Sequence, residues 1–238
     1  MKLLYEEKMR LRTSDYDQYD QIKIHSMLDI FQDLAGYHAD IMKIGYHELT
    51  ERNLCWVLLS SKIDIIKNVD YDSVVTLRTW PNEKGRADFI RDYEIETENK
   101  EIIVKASSRW VILNKDTRSI TRGKDITYDG EIIDKKNYEE LKKINVTIPH
   151  TKEFVKSHKV LNNDMDHNGH MNNSKYMEMI YNMTDPMILN KYKKIQIDYL
   201  HEALLNDTID VYTFSIDNAL YFVGYINLIE SFIVKMEE

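Results

Sequence analysis

The stretch NDMDHNGHMNNSKYMEMIYN, Asn163–Asn182, lies without gaps over SDYDQYDQIKIHSMLDIFQD, Ser14–Asp33. Asp164-x-Asp166 falls on Asp15-x-Asp17, and both copies run straight into a helical pattern. In the first copy the apolar residues Met27, Leu28, Phe31, Leu34 and Ala35 follow Ile24 at helical spacing, with an end expected near Ala39 or Met42. In the second, Tyr176, Met179, Ile180 and Met183 do the same. Identity between the copies is low, so the order of the surrounding elements has to carry the repeat.

That order agrees. Residues 3–13 alternate like a strand, and after the first helix come CWVLLSSKIDII, SVVTLRTWP, ADFIRDYEIET and EIIVKASSRWVILN, rich in Val, Ile, Trp and Tyr. The turn signals NEKG and TENKE separate them. The charged segment DGEIIDKKNYEELKKINVTIPHTKE reads as a connector with a short helix. The pattern then restarts with FVKSHKVL, the second motif and helix, KIQIDYLHEA, TIDVYTFSID, LYFVGYINLI and SFIVKMEE, with IDNAL as a hairpin turn. Two copies of a helix with an antiparallel sheet define an α+β chain. The expected boundaries are 1–125 for the first repeat, 126–152 for the connector and 153–238 for the second repeat.

Composition narrows the function. The 238 residues carry a net charge of −8, which argues against bulk nucleic-acid binding. No apolar run approaches the ~20 residues of a membrane span, and MKLLYEEKMRLR has no signal-peptide core. One cysteine, Cys55, excludes an internal disulfide framework and fits a reducing, cytoplasmic setting.

Asn, Asp and Gly ahead of a helix are ordinary caps, with Asn172, Asn173 or Ser174 as the capping residue. Caps do not explain His167 and His170 beside two aspartates. Asp164, Asp166, His167 and His170 are of metal-ligand type, but His-x-x-His with a nearby Asp is a loose pattern, and no metal is expected. A third reading is chemical. Asp166, Asn168 and His170 alternate, and in an extended segment they would share one face. Free N–H groups of the following helix would serve a developing oxyanion. Copy one has Tyr19 and Gln21 where copy two has Asn168 and His170, so this chemistry belongs to copy two alone.

These residues resemble a known family. DMDHNGHMNNSKY resembles the D-x-D-x-N-x-H-x-N-N-x-x-Y stretch of acyl-acyl-carrier-protein (acyl-ACP) thioesterases, the plant fatty acyl-ACP thioesterases and their bacterial relatives. RNLCWVLLSSKIDI, RADFIRDYEI, ASSRWVILNKDTRSITR and IDYLHEA resemble further stretches of it in the same order. The resemblance implies a double hotdog fold, in which each repeat is a long helix wrapped by a curved antiparallel sheet. It implies hydrolysis of fatty acyl-ACP to free fatty acid and holo-ACP, without a cofactor. It places Asp166, Asn168, His170 and Glu202 on the family's catalytic positions. Ala203 stands where many plant members have cysteine, which removes a cysteine nucleophile there. Either Asp166 or Glu202 could be the base or the nucleophile. The implied partner is an acyl carrier protein with its phosphopantetheine-linked chain, with a homodimer left open. Candidate docking lysines are Lys135, Lys136, Lys142 and Lys143 in the connector and Lys191, Lys193 and Lys194 after the second helix. The competing readings are an acyl-CoA thioesterase, an enoyl hydratase of the same fold and a non-enzymatic acyl-binding module. The hydratases carry D-x-N-P-x-H, whereas Asp166 to His170 is one residue shorter and lacks the proline.

Overall fold

The computed structural model describes residues 2–238. The chain forms two compact units. One runs to Ile22 and takes in Asp29–Leu141; the other is Lys23–Leu28 with Lys142–Glu238.

The first unit contains β1 (Tyr5–Arg10), the part of α1 (Ile24–Ile41) from Asp29 onward, the short α2 (Tyr46–Glu51), β2 (Leu54–Ile65), β3 (Val74–Pro81), β4 (Asp88–Thr97) and β5 (Ile102–Asn114). The strands form an antiparallel sheet in the order β1-β3-β4-β5-β2. Phe89, Arg91, Tyr93 and Ile95 alternate along one face of β4, as a period-two strand dictates. That face meets α1. The rings of Phe31 and Tyr93 lie 4.9 Å apart, and Arg91 Nη1 sits 2.9 Å from His38 Nδ1. Beyond it, Ala39, Met42, Ile44, Leu49, Phe89 and Ile112 close a core cluster.

The second unit contains β6 (Glu153–Lys159), α3 (Asn173–Met183), α4 (Pro186–Leu189), β7 (Lys194–Tyr199), β8 (Thr208–Ile216), β9 (Ala219–Ile226) and β10 (Ile229–Glu237). Its sheet is antiparallel in the order β7-β10-β9-β8-β6. The hairpin expected at IDNAL is present. Asp217 and Asn218 both take positive φ (50° and 63°), the geometry whose twist matches that of the flanking strands. Tyr176 on α3 packs edge-on against Tyr199 of β7 and Phe232 of β10.

The connector corrects the sequence reading, because residues 126–152 contain no helix. A helix would consume its own backbone groups, and here they are needed by the sheets. In the first unit Asn137 N donates to the buried Asp92 carboxylate at 3.0 Å. The Asn137 amide donates to the carbonyls of Tyr93 and Ala106, and Trp80 Nε1 donates to Lys135 O. In the second unit Ile144 N donates to buried Asp198 at 2.6 Å. Ile144, Val146 and Ile148, two residues apart as an extended segment requires, cover Phe214, Tyr221, Val223 and Ile233. Buried carboxylates without such donors would each cost several kcal/mol, on the order of the penalty for an unmet buried charge.

Burial together with the neighbouring Arg91 guanidinium pulls the His38 imidazole down to about 4. An unfolded histidine titrates near 6.5. Between these values the unfolded chain binds the proton and the folded chain does not. His38 therefore contributes its full stability above about pH 6.5, and that contribution fades as the pH falls toward 4. We expect acid titration of unfolding to show a loss on the order of 2 kcal/mol across this window from this residue. His38→Gln, whose side-chain oxygen can still accept from Arg91, should flatten that part of the curve.

Candidate active site

The segment Asp166–His170 is a closed loop, not the extended run expected from its alternating pattern. Asp166 N donates to His170 O at 2.8 Å, and Gly169 N returns to Asp166 O at 3.1 Å. Asp166 Oδ1 then accepts the backbone N–H groups of Asn168 (2.8 Å) and His170 (3.3 Å). A short carboxylate that reaches two backbone donors ahead of it favours this turn over a strand. Gly169 takes φ +81°, a left-handed position at which a side chain would be strained.

Copy one builds the same loop bond for bond. Asp17 N donates to Gln21 O at 2.8 Å, and Asp17 Oδ1 accepts from Tyr19 N (2.8 Å) and Gln21 N (2.9 Å). The upstream aspartates also match. Asp15 Oδ2 accepts from Arg12 N, and Asp164 Oδ2 from Leu161 N, both at 2.8 Å. Asp164 takes a further contact from His158 Nε2 at 2.9 Å. Two of the four residues that looked like metal ligands, Asp164 and Asp166, thus hold the chain's own donors.

In the second loop an imidazole meets a carboxylate that follows β7. His170 Nε2 lies 3.3 Å from Glu202 Oε2, both groups being about one-third exposed. Asn168 Nδ2 stands 3.4 Å from Asp166 Oδ2, a weak contact, and its side chain is open to solvent. The four sequence-predicted residues are therefore gathered at one place: Asp166, Asn168 and His170 on the loop, and Glu202 against it.

Glu202 is held by its neighbours on both sides. A bulge in β10 frees the carbonyl of fully buried Ser231, which accepts from Leu200 N (2.8 Å) and His201 N (3.0 Å). Ser231 Oγ donates back to His201 O at 2.8 Å. Ala203 O accepts from Met171 N at 2.9 Å, and Ala203 N donates to Tyr176 Oη at 3.2 Å. Burial pushes the Tyr176 hydroxyl up to about 12, so it stays neutral. Ala203 is fully buried in this lattice. Ser231 and Phe232 carry no sequence signal, and Tyr176, which closes the quoted motif, reads only as part of the helical pattern, where an aromatic is ordinary core.

Two further expectations change. Asn172 is indeed the cap of α3, but it uses the helix start: its Oδ1 accepts from Ser174 N (3.0 Å), and its carbonyl from Lys175 N (3.0 Å). Those N–H groups are not free for an oxyanion. Lys191, Lys193 and Lys194 sit at the start of β7, whereas Glu202 follows its end. The strand alone separates them by about 17 Å at ~3.3 Å per residue. Lys135 is committed to buried Glu94 at 2.6 Å.

With this geometry in place, the chain can be set beside known proteins. Its backbone superimposes on an acyl-ACP thioesterase from Bacteroides thetaiotaomicron with a TM-score of 0.86, at 19% identity and over 99% of this chain and 97% of that one. It superimposes on the 12:0-ACP thioesterase from Umbellularia californica at 0.82, with 18% identity, over 99% and 96%. The fold is thus the expected α+β double hotdog, two tandem repeats. Residues 2–129 match the acyl-ACP thioesterase N-terminal domain, and residues 147–230 the C-terminal domain. The chain belongs to the acyl-ACP thioesterase family. Among curated relatives it is 27% identical over 232 residues to oleoyl-acyl carrier protein thioesterase 2, chloroplastic, of Arabidopsis thaliana, covering 89% of this chain and 63% of the relative. It is 26% identical to a palmitoyl-acyl carrier protein thioesterase of the same plant, over 84% of this chain and 52% of the relative. The chain therefore spans somewhat over half the length of these curated relatives. No helix among the described residues is long and apolar enough to cross a membrane.

Gly224 faces Phe232 directly across β9 and β10, and a Cβ there would lie 2.1 Å from the Phe232 ring. Gly224→Ala should therefore destabilise the second unit by about 1–3 kcal/mol through overpacking. Denaturant titration measures this. Unchanged stability would mean the ring is not fixed against the strand.

Proposed function

We propose that this protein hydrolyses the thioester of a fatty acyl chain carried on acyl carrier protein, with Glu202 as the base. The observation that carries the reading is the His170–Glu202 contact at 3.3 Å, built on a loop that copy one duplicates with Tyr19 and Gln21 in place of Asn168 and His170. Asp17 makes the same backbone hydrogen bonds as Asp166 in a loop without that pair. This supports Asp166 as the group that shapes the loop, and Glu202 as the carboxylate that meets water.

In this mechanism Glu202 takes a proton from water as the water oxygen bonds to the thioester carbon. His170 holds Glu202 in place. Asn168 Nδ2, now only weakly engaged, donates to the carbonyl oxygen as it gains charge. The C–S bond then breaks, the electron pair leaves with sulfur, and the proton held by Glu202 passes to the thiolate. Products are the fatty acid and the free phosphopantetheine thiol. No cysteine takes part, since Ala203 follows Glu202 and Cys55 lies in β2. The single cysteine also supports a cytoplasmic location.

Release of free thiol from acyl-ACP, acyl-CoA and an enoyl-CoA tests the reading and separates its competitors. We expect hydrolysis of acyl-ACP in preference to acyl-CoA, and no hydration of the enoyl substrate. Glu202→Gln should lower kcat by about 10²–10⁴-fold with little change in KM, the range for loss of a positioned base. Asp166→Asn, whose amide oxygen can still accept both backbone N–H groups, should be at least about tenfold less damaging than Glu202→Gln. Equal losses would make Asp166 the reacting carboxylate. Asp17→Ala should lower stability by about 1–3 kcal/mol while leaving kcat near wild type, as removal of a loop-closing acceptor predicts. Cys55→Ala should keep most activity. In a single turnover in heavy-oxygen water, label should enter the fatty acid and not the Glu202 carboxylate.

A further inference from the structure

Of the lysines that the sequence offered for docking, Lys135 is held by Glu94 and Lys191, Lys193 and Lys194 stand at the other end of β7 from Glu202; the tertiary structure also assembles another basic surface. Three separated segments of the first unit, Arg52–Asn53, Lys84–Arg86 and Lys115–Asp125, are tied together by backbone bonds. Gly123 N donates to Arg86 O at 3.1 Å, and Lys115 N to Asn53 O at 2.9 Å. Gly123 approaches Gly85 so closely that a Cβ would lie 2.5 Å from the Gly85 carbonyl oxygen. This brings Arg52, Lys84, Arg86, Lys115, Arg118, Arg122 and Lys124 onto one end of the sheet, in a chain whose net charge is −8.

Glu51, Glu83, Asp88, Asp116 and Asp125 lie among these seven cations, and the patch keeps a net positive charge. Lys84 Nζ donates to the carbonyl of Ile126 (2.7 Å) and lies over the Tyr128 ring. Lys115 Nζ donates to Thr50 Oγ1 (3.1 Å), and Arg52 Nη2 to the Asp125 carbonyl (3.3 Å). These partners are neutral oxygens, which orient a cation without cancelling it. Arg122 pairs with Asp125 at 3.2 Å, while the exposed Arg86 and Lys124 have no ion pair among the described residues. Ile120, more than half exposed, stands between Arg118 and Arg122. A surface of fixed cations around an exposed aliphatic side chain suits an acidic protein helix with an apolar contact. A nucleic acid would instead demand a continuous cationic track, and Glu51, Glu83, Asp88 and Asp116 interrupt one here.

We propose that this surface, centred on Arg86 and Lys124, docks the acidic carrier protein that presents the acyl chain. The proposal rests on the thioesterase reading above and adds the face on which the carrier is held. Steering by complementary charge acts on encounter and leaves the chemical step alone.

The test uses the full chain and the double variant Arg86→Glu/Lys124→Glu, with Lys191→Glu/Lys194→Glu as a charge-matched control. The first measurement is binding of an acyl-ACP whose thioester is replaced by a non-hydrolysable amide, which is independent of turnover. The expected result is about a tenfold or greater weakening for the first variant and little change for the control, with the difference shrinking as salt rises. The second measurement is hydrolysis: KM for acyl-ACP should rise by a similar factor, with kcat and the rate on acyl-pantetheine within about twofold. Unchanged binding of the carrier overturns the proposal. So does an equal rise in KM for acyl-CoA, which would show that the patch reads nucleotide phosphates, and so does an equal loss in the control variant. If the wild type binds the carrier through this patch yet hydrolyses no thioester, the docking proposal stands and the thioesterase reading falls.

Discussion

An aspartate carboxylate that accepts two backbone N–H groups closes the loop ahead of the helix in each repeat. Much of the second unit depends on this small constraint. Asp166 turns the chain back so that His170 O meets Asp166 N, and the turn delivers Met171 to the carbonyl of Ala203. The bond to Ala203 fixes the residue beside Glu202, and Tyr176 fixes it again from the helix. The site is therefore held by short backbone-anchored contacts, and no long flexible side chain has to find its place unaided. Such preorganisation means that groups need little rearrangement during reaction.

The two repeats act as an internal control. They share the loop, its two aspartates and the helix that follows, yet only one carries an imidazole facing a carboxylate. The shared features are accounted for by folding: a loop must satisfy its N–H groups whether or not it does chemistry. What differs is the candidate chemistry. The same comparison shows that Asp166 and Asp17 make equivalent backbone bonds, which is why Asp166 is proposed as the frame, a distinction that a motif taken alone cannot make.

Burial of charge is the second theme. Asp92 and Asp198 lie deep in the two sheets, and burial pushes the Asp92 carboxyl up against the opposing effect of its donors Ser107, Asn137 and Asn82. The connector supplies donors to both residues, which explains why so charged a segment stays extended instead of coiling into a helix. Arg91 is buried against His38, Thr79 and Met42, with a neutral imidazole in place of a carboxylate. That choice couples the fold of the first unit to pH, through a histidine remote in sequence from the candidate site.

The sequence by itself determined the repeat, the strand and helix order, the α+β class and the family. These rest on local periodicity and short-range capping, which are written in consecutive residues. It also singled out Asp166, Asn168, His170 and Glu202 as candidates, because three share one motif and the fourth lies in a stretch that resembles the family, and the structure brings them to one place. It misread the Asp166–His170 segment as extended, since alternation of polar residues is the same in a strand and in a loop closed by a carboxylate. It misread the connector because the charged stretch NYEELKK favours a helix only while no buried carboxylate claims the backbone donors. The tertiary structure alone decided that Ser231 and Tyr176 hold the Glu202 segment, and that Arg86 and Lys124 share a surface. The physical reason is common to both: each joins residues far apart in the chain, and a contact between distant residues leaves no period, spacing or composition that a linear reading can detect.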